Sequence, residues 1–209
     1  MDRFEPGHLI TDEATLEALY GTPSEPAVMK ELDHVHPHYR AFIEAAPFLA
    51  MATAGPGGLD VTPRGDPPGF VEVADERTLL IPDRRGNNRV DSLRNLIHDP
   101  RIALLFLIPG VGETLRVNGQ ASISVAPELL ARFPAQGKLP RSVIVVHVES
   151  VYFQCPKALV RSDLWNPKKH VPRSALPSTG TILADITQGR VGGSEYDKAY
   201  PQRLKETIY

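Results

Sequence analysis

Cysteine and long apolar runs are both scarce in this sequence. The one cysteine, Cys155, has no partner for a disulfide within the chain and cannot build a cysteine-rich zinc site. No apolar run approaches the roughly 18 residues that a transmembrane helix requires, and the N-terminus lacks the apolar segment of a signal peptide. These absences predict a cytoplasmic protein without a membrane partner.

An excess of charge of either sign is also missing. The sequence has 23 lysines and arginines against 25 aspartates and glutamates, for a net charge of −2. Nucleic-acid-binding domains are usually basic, so this balance argues against a nucleic-acid partner. The 209 residues are enough to bury a core of their own. We predict one domain over residues 1–209, with a helical N-terminal extension at 1–45 and a polar C-terminal extension at 167–209.

Proline, by contrast, is abundant, with 20 residues against 16 glycines. Long helices tolerate few prolines, whereas strand starts, edges and turns accept them, so the composition favours a β-rich fold. Apolar spacing and capping signals nevertheless predict several short helices. They are expected at residues 12–20 with Thr11 as N-cap, at 36–43, 87–100 and 127–133, and in a late stretch before Tyr209.

Strand patterns occupy most of the middle of the chain. Residues 48–65 predict two strands around a Gly-Pro-Gly-Gly turn, and further strands are expected at 70–74, 78–83, 101–108, 114–125 and 142–153. Residues 101–108 are apolar on both faces, which is typical of a central, fully buried strand. Six or seven strands with few short helices predict an antiparallel barrel rather than alternating βαβ units.

The segment 114–125 carries conflicting signals. Asn118-Gly119 is a strong signal for a hairpin turn. A two-residue turn there would pair Val117 with Gln120 and so mix the two faces of a segment in which apolar and polar residues alternate without a break. We therefore predict one long strand with Gly119 at a bend or bulge.

The loop at residues 82–89 is the strongest candidate for a functional site. It connects a predicted strand to a predicted helix, whose first N–H groups are free to bind an anion. A phosphate monoester, with about −1.5 to −2 charges at neutral pH, suits the side chains around that helix start. A solvated basic loop is the alternative. The side chains are Arg84, Arg85, Arg89, Asn87 and Asn88.

The other sequence motifs give less indication of a functional site. The sequence has no phosphate loop, zinc-protease motif, nucleophile elbow or CxxC pair. His34, His36 and His38 precede a proline-containing helix start with only Asp33 nearby, so we expect a solvated helix start and no metal. Cys155 is expected to be a packed thiol, and His147 a core histidine.

Four blocks of the sequence together resemble the pyridoxamine 5′-phosphate oxidase-like family of FMN-binding split barrels, and especially a subgroup described only as FMN-dependent enzymes. The resemblance implies a mainly β fold with peripheral helices, in which a six-stranded antiparallel split β-barrel forms a homodimer. Two FMN molecules would lie in clefts between the subunits. The blocks are VTPRGDPPGF (61–70), LLIPDRRGNNRVDSLRNL (79–96), LFLIPGVGETLRVNG (105–119) and CPKALVRSDLW (155–165).

The resemblance also implies cofactor contacts. Asn88 and Arg89 correspond to positions that bind the FMN phosphate, and Arg64 to a position that reaches the flavin ring or the phosphate. Further implied positions are Ile81 and Pro82 along the flavin, Thr114 facing it, and Lys157, Arg161 and Trp165 across the dimer interface. Arg84 and Arg85 join this predicted cofactor-binding set from the basic loop itself. A positive charge near the flavin N1 and C2=O would come from Arg64 or Arg116, and a surface or interface ion pair is the alternative role of Arg116.

The function implied is that of an FMN-dependent oxidoreductase, which transfers electrons between a reduced donor and a small acceptor and acts on a small-molecule substrate. The C-terminal pattern that binds the pyridoxal phosphate ring in the oxidase itself is not evident here, so oxidation of pyridoxamine phosphate is a minority alternative. The others are a non-catalytic flavin-binding protein, a split barrel that holds a deazaflavin or haem, and an arginine loop that binds nucleic acid. No catalytic residue is identified.

Overall fold

A computed structural model of the chain describes residues 6–209, so that residues 1–5 of the predicted helical extension lie outside the described part. The chain divides into two compact units, Met1–Glu31 and Leu32–Tyr209. In its described part the first unit has a 3₁₀ turn at Pro6–His8 and two helices, α1 (Glu13–Tyr20) and α2 (Glu25–Met29). Every strand of the described residues belongs to the second unit.

Helix α1 forms where the sequence predicts it, but with a different N-cap. The cap is Asp12 and not Thr11, because the Asp12 carboxylate accepts a hydrogen bond from the backbone N–H of Thr15 at 2.8 Å. A carboxylate is also favoured there by the positive end of the helix dipole. Gly21, with φ of 73°, ends the helix in a backbone conformation that glycine adopts without strain.

The second unit is built on one sheet of seven antiparallel strands in the order β2-β1-β5-β6-β7-β4-β3. The seven strand segments that the sequence pattern predicts are confirmed, whereas the six strands implied by the family resemblance are one too few. The difference lies at one edge of the sheet, where the four-residue strand β3 pairs only with β4 and does so through an irregular register. The strands are β1 (Phe48–Gly55), β2 (Gly58–Gly65), β3 (Glu72–Asp75), β4 (Thr78–Asp83), β5 (Arg101–Leu107), β6 (Thr114–Ser124) and β7 (Ser142–Gln154).

Strand β6 continues through Asn118-Gly119 without a turn, as predicted from its unbroken alternation. Its register against β7 shifts between these two residues, which is the expected bulge. Glycine is needed there because a Cβ atom on Gly119 would overlap the carbonyl oxygen of His147. The bulge therefore lets two long strands stay paired on both sides of the irregularity.

A single apolar cluster forms the main core, and six of the seven strands contribute buried residues to it. Each fully buried Leu, Ile or Phe side chain contributes about 1.5–3 kcal/mol, so this cluster is the main stabilising element. Representative members, one per strand, are Leu49, Val73, Ile81, Phe106, Val117 and Val148.

Two burial predictions are wrong for a common reason. Strand β5 is central but not buried on both faces: Ile102, Leu104 and Phe106 are buried, and the residues between them are only half-buried. His147 on β7 is exposed rather than part of the core. An antiparallel sheet that packs one face on the core leaves the alternate residues of each strand on the other face, whatever their hydrophobicity.

Helices cover parts of the sheet. Helix α3 packs Tyr39 and Ile43 into the core, and α4 packs Leu96 there. Helix α4 is shorter than the predicted 87–100, because Asn88 and Val90 adopt left-handed backbone angles that an α-helix excludes. None of the helices in the described part of the chain is long and apolar enough to cross a membrane. The helices of this unit are α3 (Pro37–Ala45), α4 (Asp91–His98), α5 (Pro127–Leu130), α6 (Lys157–Ser162), α7 (Thr179–Ile186) and α8 (Gly193–Thr207).

Candidate functional site

The predicted anion-binding loop borders a cleft of about 300 Å³. The loop after β4 forms one side, edge strand β2 and the start of α4 form others, and the first residues of β7 complete it. We call this the arginine cleft. Its lining includes the predicted site residues Arg64, Arg84, Arg85, Asn88 and Arg89, together with Arg141, Asp60, Asp83, Asp91 and Ser92.

The backbone at the start of α4 is open to this cleft. Val90 is the N-cap residue and offers no side-chain hydrogen bond to the first N–H groups of the helix. Val90 and Asn88 have φ of 52° and 63°; asparagine tolerates this region, but a β-branched valine is strained in it. The helix therefore begins with N–H groups that no side chain caps, as an anion site at a helix N-terminus requires.

The charge of the arginine cleft is positive on balance, since five arginines face three aspartates. Three of the arginines are already paired: Arg84 with Asp66 at 2.7 Å, Arg89 with Asp91 at 2.7 Å, and Arg64 with Asp83 at 3.3 Å. Arg141 donates to the neutral side-chain oxygen of Asn88 at 3.0 Å. Among the described residues Arg85 has no hydrogen-bond or ion-pair partner, so it is the cation most available to a ligand.

Arg64 has two polar partners in the cleft. Its Nη2 donates to Ser92 Oγ at 3.0 Å, and its Nη1 lies 3.3 Å from Asp83 Oδ1. Its Nε is buried and has no hydrogen-bond partner within the described part of the chain. A buried donor without a partner costs about 1–3 kcal/mol.

Asp83 is the acidic partner of Arg64, and its side chain is only 12% exposed. Burial raises the pKa of Asp83, while the charges of Arg64 and Arg141 act in the opposite direction. The net effect is a pKa above the ordinary value of an aspartate, and the two arginines limit that rise.

A second hollow, of about 530 Å³, shares Arg64, Arg84 and Arg85 with the arginine cleft. We call it the Pro82 hollow, because Pro82 lines it with Phe70 and Tyr209. Ile81, the other residue predicted to lie along a flavin, points into the core and is fully buried. Its side chain therefore contributes to the core, and only its backbone could contact a ligand.

Besides Ile81, five of the predicted positions do not line the arginine cleft or the Pro82 hollow of their own chain. Thr114 is buried and donates to Gln154 Oε1 at 3.3 Å, while Arg116 is exposed and donates to the Tyr152 hydroxyl at 2.7 Å. Trp165 donates through Nε1 to the carbonyl oxygen of Val111 at 2.8 Å. Lys157 and Arg161 lie exposed on α6.

Arg141, Tyr209 and Asp66 are three of the cavity residues that the sequence did not single out. Arg141 reaches the arginine cleft because β7 pairs with β4, which places Ser142 opposite Asp83. Tyr209 reaches the Pro82 hollow, where its hydroxyl donates to Asp66 Oδ1 at 2.5 Å. Asp66 itself is only 4% exposed at its side chain. Arg141 and Tyr209 belong to no local motif. Asp66 lies within the block 61–70, but its partners Arg84 and Tyr209 come from other segments of the chain.

The remaining motif candidates add no chemistry. In the described part of the chain no group of three or more histidine, cysteine, aspartate or glutamate side chains could hold a metal ion. His36 is the N-cap residue of α3, where its Nδ1 accepts a hydrogen bond from the backbone N–H of His38 at 3.2 Å. Cys155 is exposed, so the expectation of a packed thiol is wrong.

Solved structures offer only distant likenesses. HupZ from Group A Streptococcus is 15% identical with a TM-score of 0.48, over 58% of this chain and 94% of that one. A candidate pyridoxamine 5′-phosphate oxidase from Lactobacillus delbrueckii is 18% identical with a TM-score of 0.45, over 59% and 99%. General Stress Protein 26 from Bacillus anthracis is 15% identical with a TM-score of 0.36, over 54% and 88%.

The family is shown by a different comparison. No curated protein matches the chain. A family model described as pyridoxamine 5′-phosphate oxidase matches residues 35–155, which is more than half of the sequence. The matched region runs from the start of α3 to the end of β7 and so contains the whole seven-stranded sheet and the arginine cleft. The chain therefore belongs to the pyridoxamine 5′-phosphate oxidase family.

Proposed function

We propose that the protein binds FMN and acts as an oxidoreductase that passes electrons between a reduced donor and a small acceptor. The observation that carries this proposal is the arginine cleft. It combines a surplus of arginines with an uncapped helix N-terminus. Together these features suit the phosphate group of FMN.

The residues that would hold the phosphate are Arg64, Arg85 and Arg141, with the first N–H groups of α4. Arg84 is less available, because Asp66 and the carbonyl oxygen of Phe133 both accept from it at 2.7 Å. The Pro82 hollow adjoins the arginine cleft, and its proline and phenylalanine supply an apolar wall that suits a flavin ring. Arg64 lines both cavities and would place a positive charge between phosphate and ring.

Bound FMN would supply the electron- and hydride-accepting chemistry, whereas the protein would orient it and adjust its electronics. A positive charge near the flavin favours the reduced, anionic form, and Arg64 is the cation best placed for this task. Asp83 would hold the Arg64 guanidinium in position through their ion pair. No proton-transfer residue is required of the protein in this scheme.

We propose that two copies form a homodimer with the cofactor between them and that the sheet of each closes as the split barrel of the family. Lys157, Arg161 and Trp165 lie outside the cavities of their own chain, so a second copy would have to bring them to the flavin. Edge strand β2 also leaves Leu59 and Val61 exposed, at 89% and 67%. Sedimentation analysis tests the dimer: a monomeric wild type contradicts it, and Leu59→Asp should weaken it.

A visible absorption spectrum of the purified protein, taken before and after addition of FMN and desalting, tests the cofactor. A retained two-band flavin spectrum supports the proposal, and turnover with reduced nicotinamide and an acceptor then separates an enzyme from a non-catalytic flavin-binding protein. A colourless protein that fails to retain FMN contradicts the proposal. Titrations with a deazaflavin and with haem would then test the two other cofactors. For each of these cofactors, the proposed location of the protein is the cytoplasm.

A further inference from the structure

The segment 166–207, which we call the strap, adds nothing to the apolar cores of the second unit. None of its residues belongs to either buried cluster. Within the described part of the chain, its hydrogen bonds stay between residues 163 and 207. The residue before the strap is fixed, since Trp165 Nε1 donates to the carbonyl oxygen of Val111 at 2.8 Å.

The two helices of the strap, α7 and α8, pack against each other. Asp197 on α8 accepts from Ser178 Oγ at 2.5 Å and from the backbone N–H of Gly180 at 2.7 Å. The helices are in close contact there, because a Cβ atom on Gly180 would overlap the carbonyl oxygen of Gly193. The helical hairpin is therefore held together by its own contacts and can move as one body.

Tyr209 fixes the far end of the strap. Its hydroxyl donates to Asp66 Oδ1 at 2.5 Å, and its backbone oxygen accepts from Lys138 Nζ at 2.9 Å. The Arg84 guanidinium, which is paired with Asp66, lies 5.7 Å from the centre of the Tyr209 ring. We call these contacts of Tyr209 the latch. They are few and polar, whereas the sheet is held by a continuous apolar core.

The latch determines whether the Pro82 hollow is complete. Most residues that line the hollow lie between positions 62 and 87 and belong to the sheet and its loops. The others are Ile208 and Tyr209, which directly follow the strap. These two residues stay in the hollow only while the latch is formed. A flavin ring in the hollow would thus be enclosed when the latch closes and exposed when it opens.

We propose that the strap is a gate over the Pro82 hollow, which the Tyr209 latch holds closed and which must lift before a flavin ring can enter or leave. Its role as a gate for FMN rests on the proposed function, whereas the lifting of the strap requires no cofactor. Segments with few buried apolar contacts open at a lower free-energy cost than the core of a protein. Such lids control the entry and release of ligands in many enzymes.

Stopped-flow measurements of flavin binding to the full-length protein test the gate. Tyr209→Phe removes the hydroxyl that donates to Asp66, so the open state should become about tenfold more populated. The association and dissociation rate constants should then both rise about tenfold. FMN and riboflavin should respond alike, because Tyr209 lines the Pro82 hollow and not the arginine cleft. Tyr200→Phe, at an exposed position on α8, is the matched control and should change neither rate.

Hydrogen exchange of the cofactor-free protein tests the movement of the strap independently of FMN. Tyr209→Phe should speed exchange in peptides that cover residues 62–67 and 84–87, which share the Pro82 hollow with Tyr209. Exchange within α7 and α8 should stay as in the wild type, because the hairpin keeps its own contacts when the strap lifts.

The outcomes separate the gate from the assignment of FMN. Faster association and dissociation of both flavins in Tyr209→Phe, with wild-type rates in Tyr200→Phe, support the gate. Unchanged rates, a change for FMN alone, or faster dissociation without faster association overturn it. If the protein binds neither flavin, the exchange measurements decide. Faster exchange at 62–67 and 84–87 alone then supports a moving strap, whereas unchanged exchange, or an equal increase in α7 and α8, overturns it.

Discussion

Two single substitutions that change the charge of the arginine cleft in opposite directions should have opposite effects on FMN affinity. Arg85→Ala removes a cation that has no acidic partner among the described residues. One charge-assisted hydrogen bond is worth about 1.5–3 kcal/mol, and the exposure of Arg85 favours the lower end. We therefore expect FMN to bind roughly tenfold more weakly.

Asp91→Asn makes the opposite change. The Asp91 carboxylate lies in the cleft and holds Arg89 at 2.7 Å. Its removal takes away a negative charge and frees Arg89 for the phosphate. Exposed ion pairs are worth about 0–1 kcal/mol, so we expect FMN to bind up to about fivefold more tightly. Arg89→Ala should weaken FMN less than Arg85→Ala does, because Arg89 is already paired.

The assay is quenching of flavin fluorescence in parallel titrations with FMN and riboflavin. Riboflavin lacks the phosphate, so its affinity should hardly change in any of these variants. Arg40→Ala, a surface arginine paired with Glu44 on α3, is the control for charge alone. High salt should reduce every difference, because exposed charges are screened. Equal changes for both ligands, or weaker FMN binding by Asp91→Asn, would refute the placement of the phosphate in this cleft.

Three further predictions concern the parts of the structure that support the site. Tyr209→Phe leaves the buried Asp66 carboxylate one donor short and should lower the free energy of unfolding by about 1–2 kcal/mol in urea denaturation, whereas Tyr20→Phe, at an exposed position, should have no effect. Gly119→Ala should cost about 3 kcal/mol in the same assay, because its Cβ would overlap the His147 carbonyl; wild-type stability would contradict the bulge. Hydrogen bonds from Arg101 lower the pKa of Asp99 to about 2, so its contribution to stability is present above its ordinary value of 3.8 and is lost as the pH falls towards 2. NMR titration should show this pKa rising towards 3.8 in Arg101→Gln, and an unchanged pKa would contradict the assigned cause.

Local patterns were sufficient for most of the secondary structure. The unbroken alternation of 114–125 correctly predicted one strand despite the Asn118-Gly119 turn signal, because a period of two fixes which side chains share a face of a sheet. Patterns failed where the outcome depends on what lies next to a segment. The apolar residues of 101–108 could not reveal that one face of β5 is only half-buried, because that depends on how much of the sheet other elements cover.

The sequence by itself also determined the main functional prediction. A strand, an arginine-rich loop and a helix start follow one another within residues 78–98, so the anion site there depends on local geometry alone. What it could not show is that the helix begins only at Asp91, after two residues in left-handed conformations. Propensity does not predict such angles for valine, because the surrounding structure imposes them.

The rest of the site was decided by the tertiary structure. Arg141 faces the loop only because β7 pairs with β4, and Tyr209 reaches Asp66 across 143 positions of sequence. Side chains that meet through long-range strand pairing and packing leave no periodic signal, which is why the sequence predicted the arginine loop and only the fold brought Arg141 and Tyr209 to the two cavities.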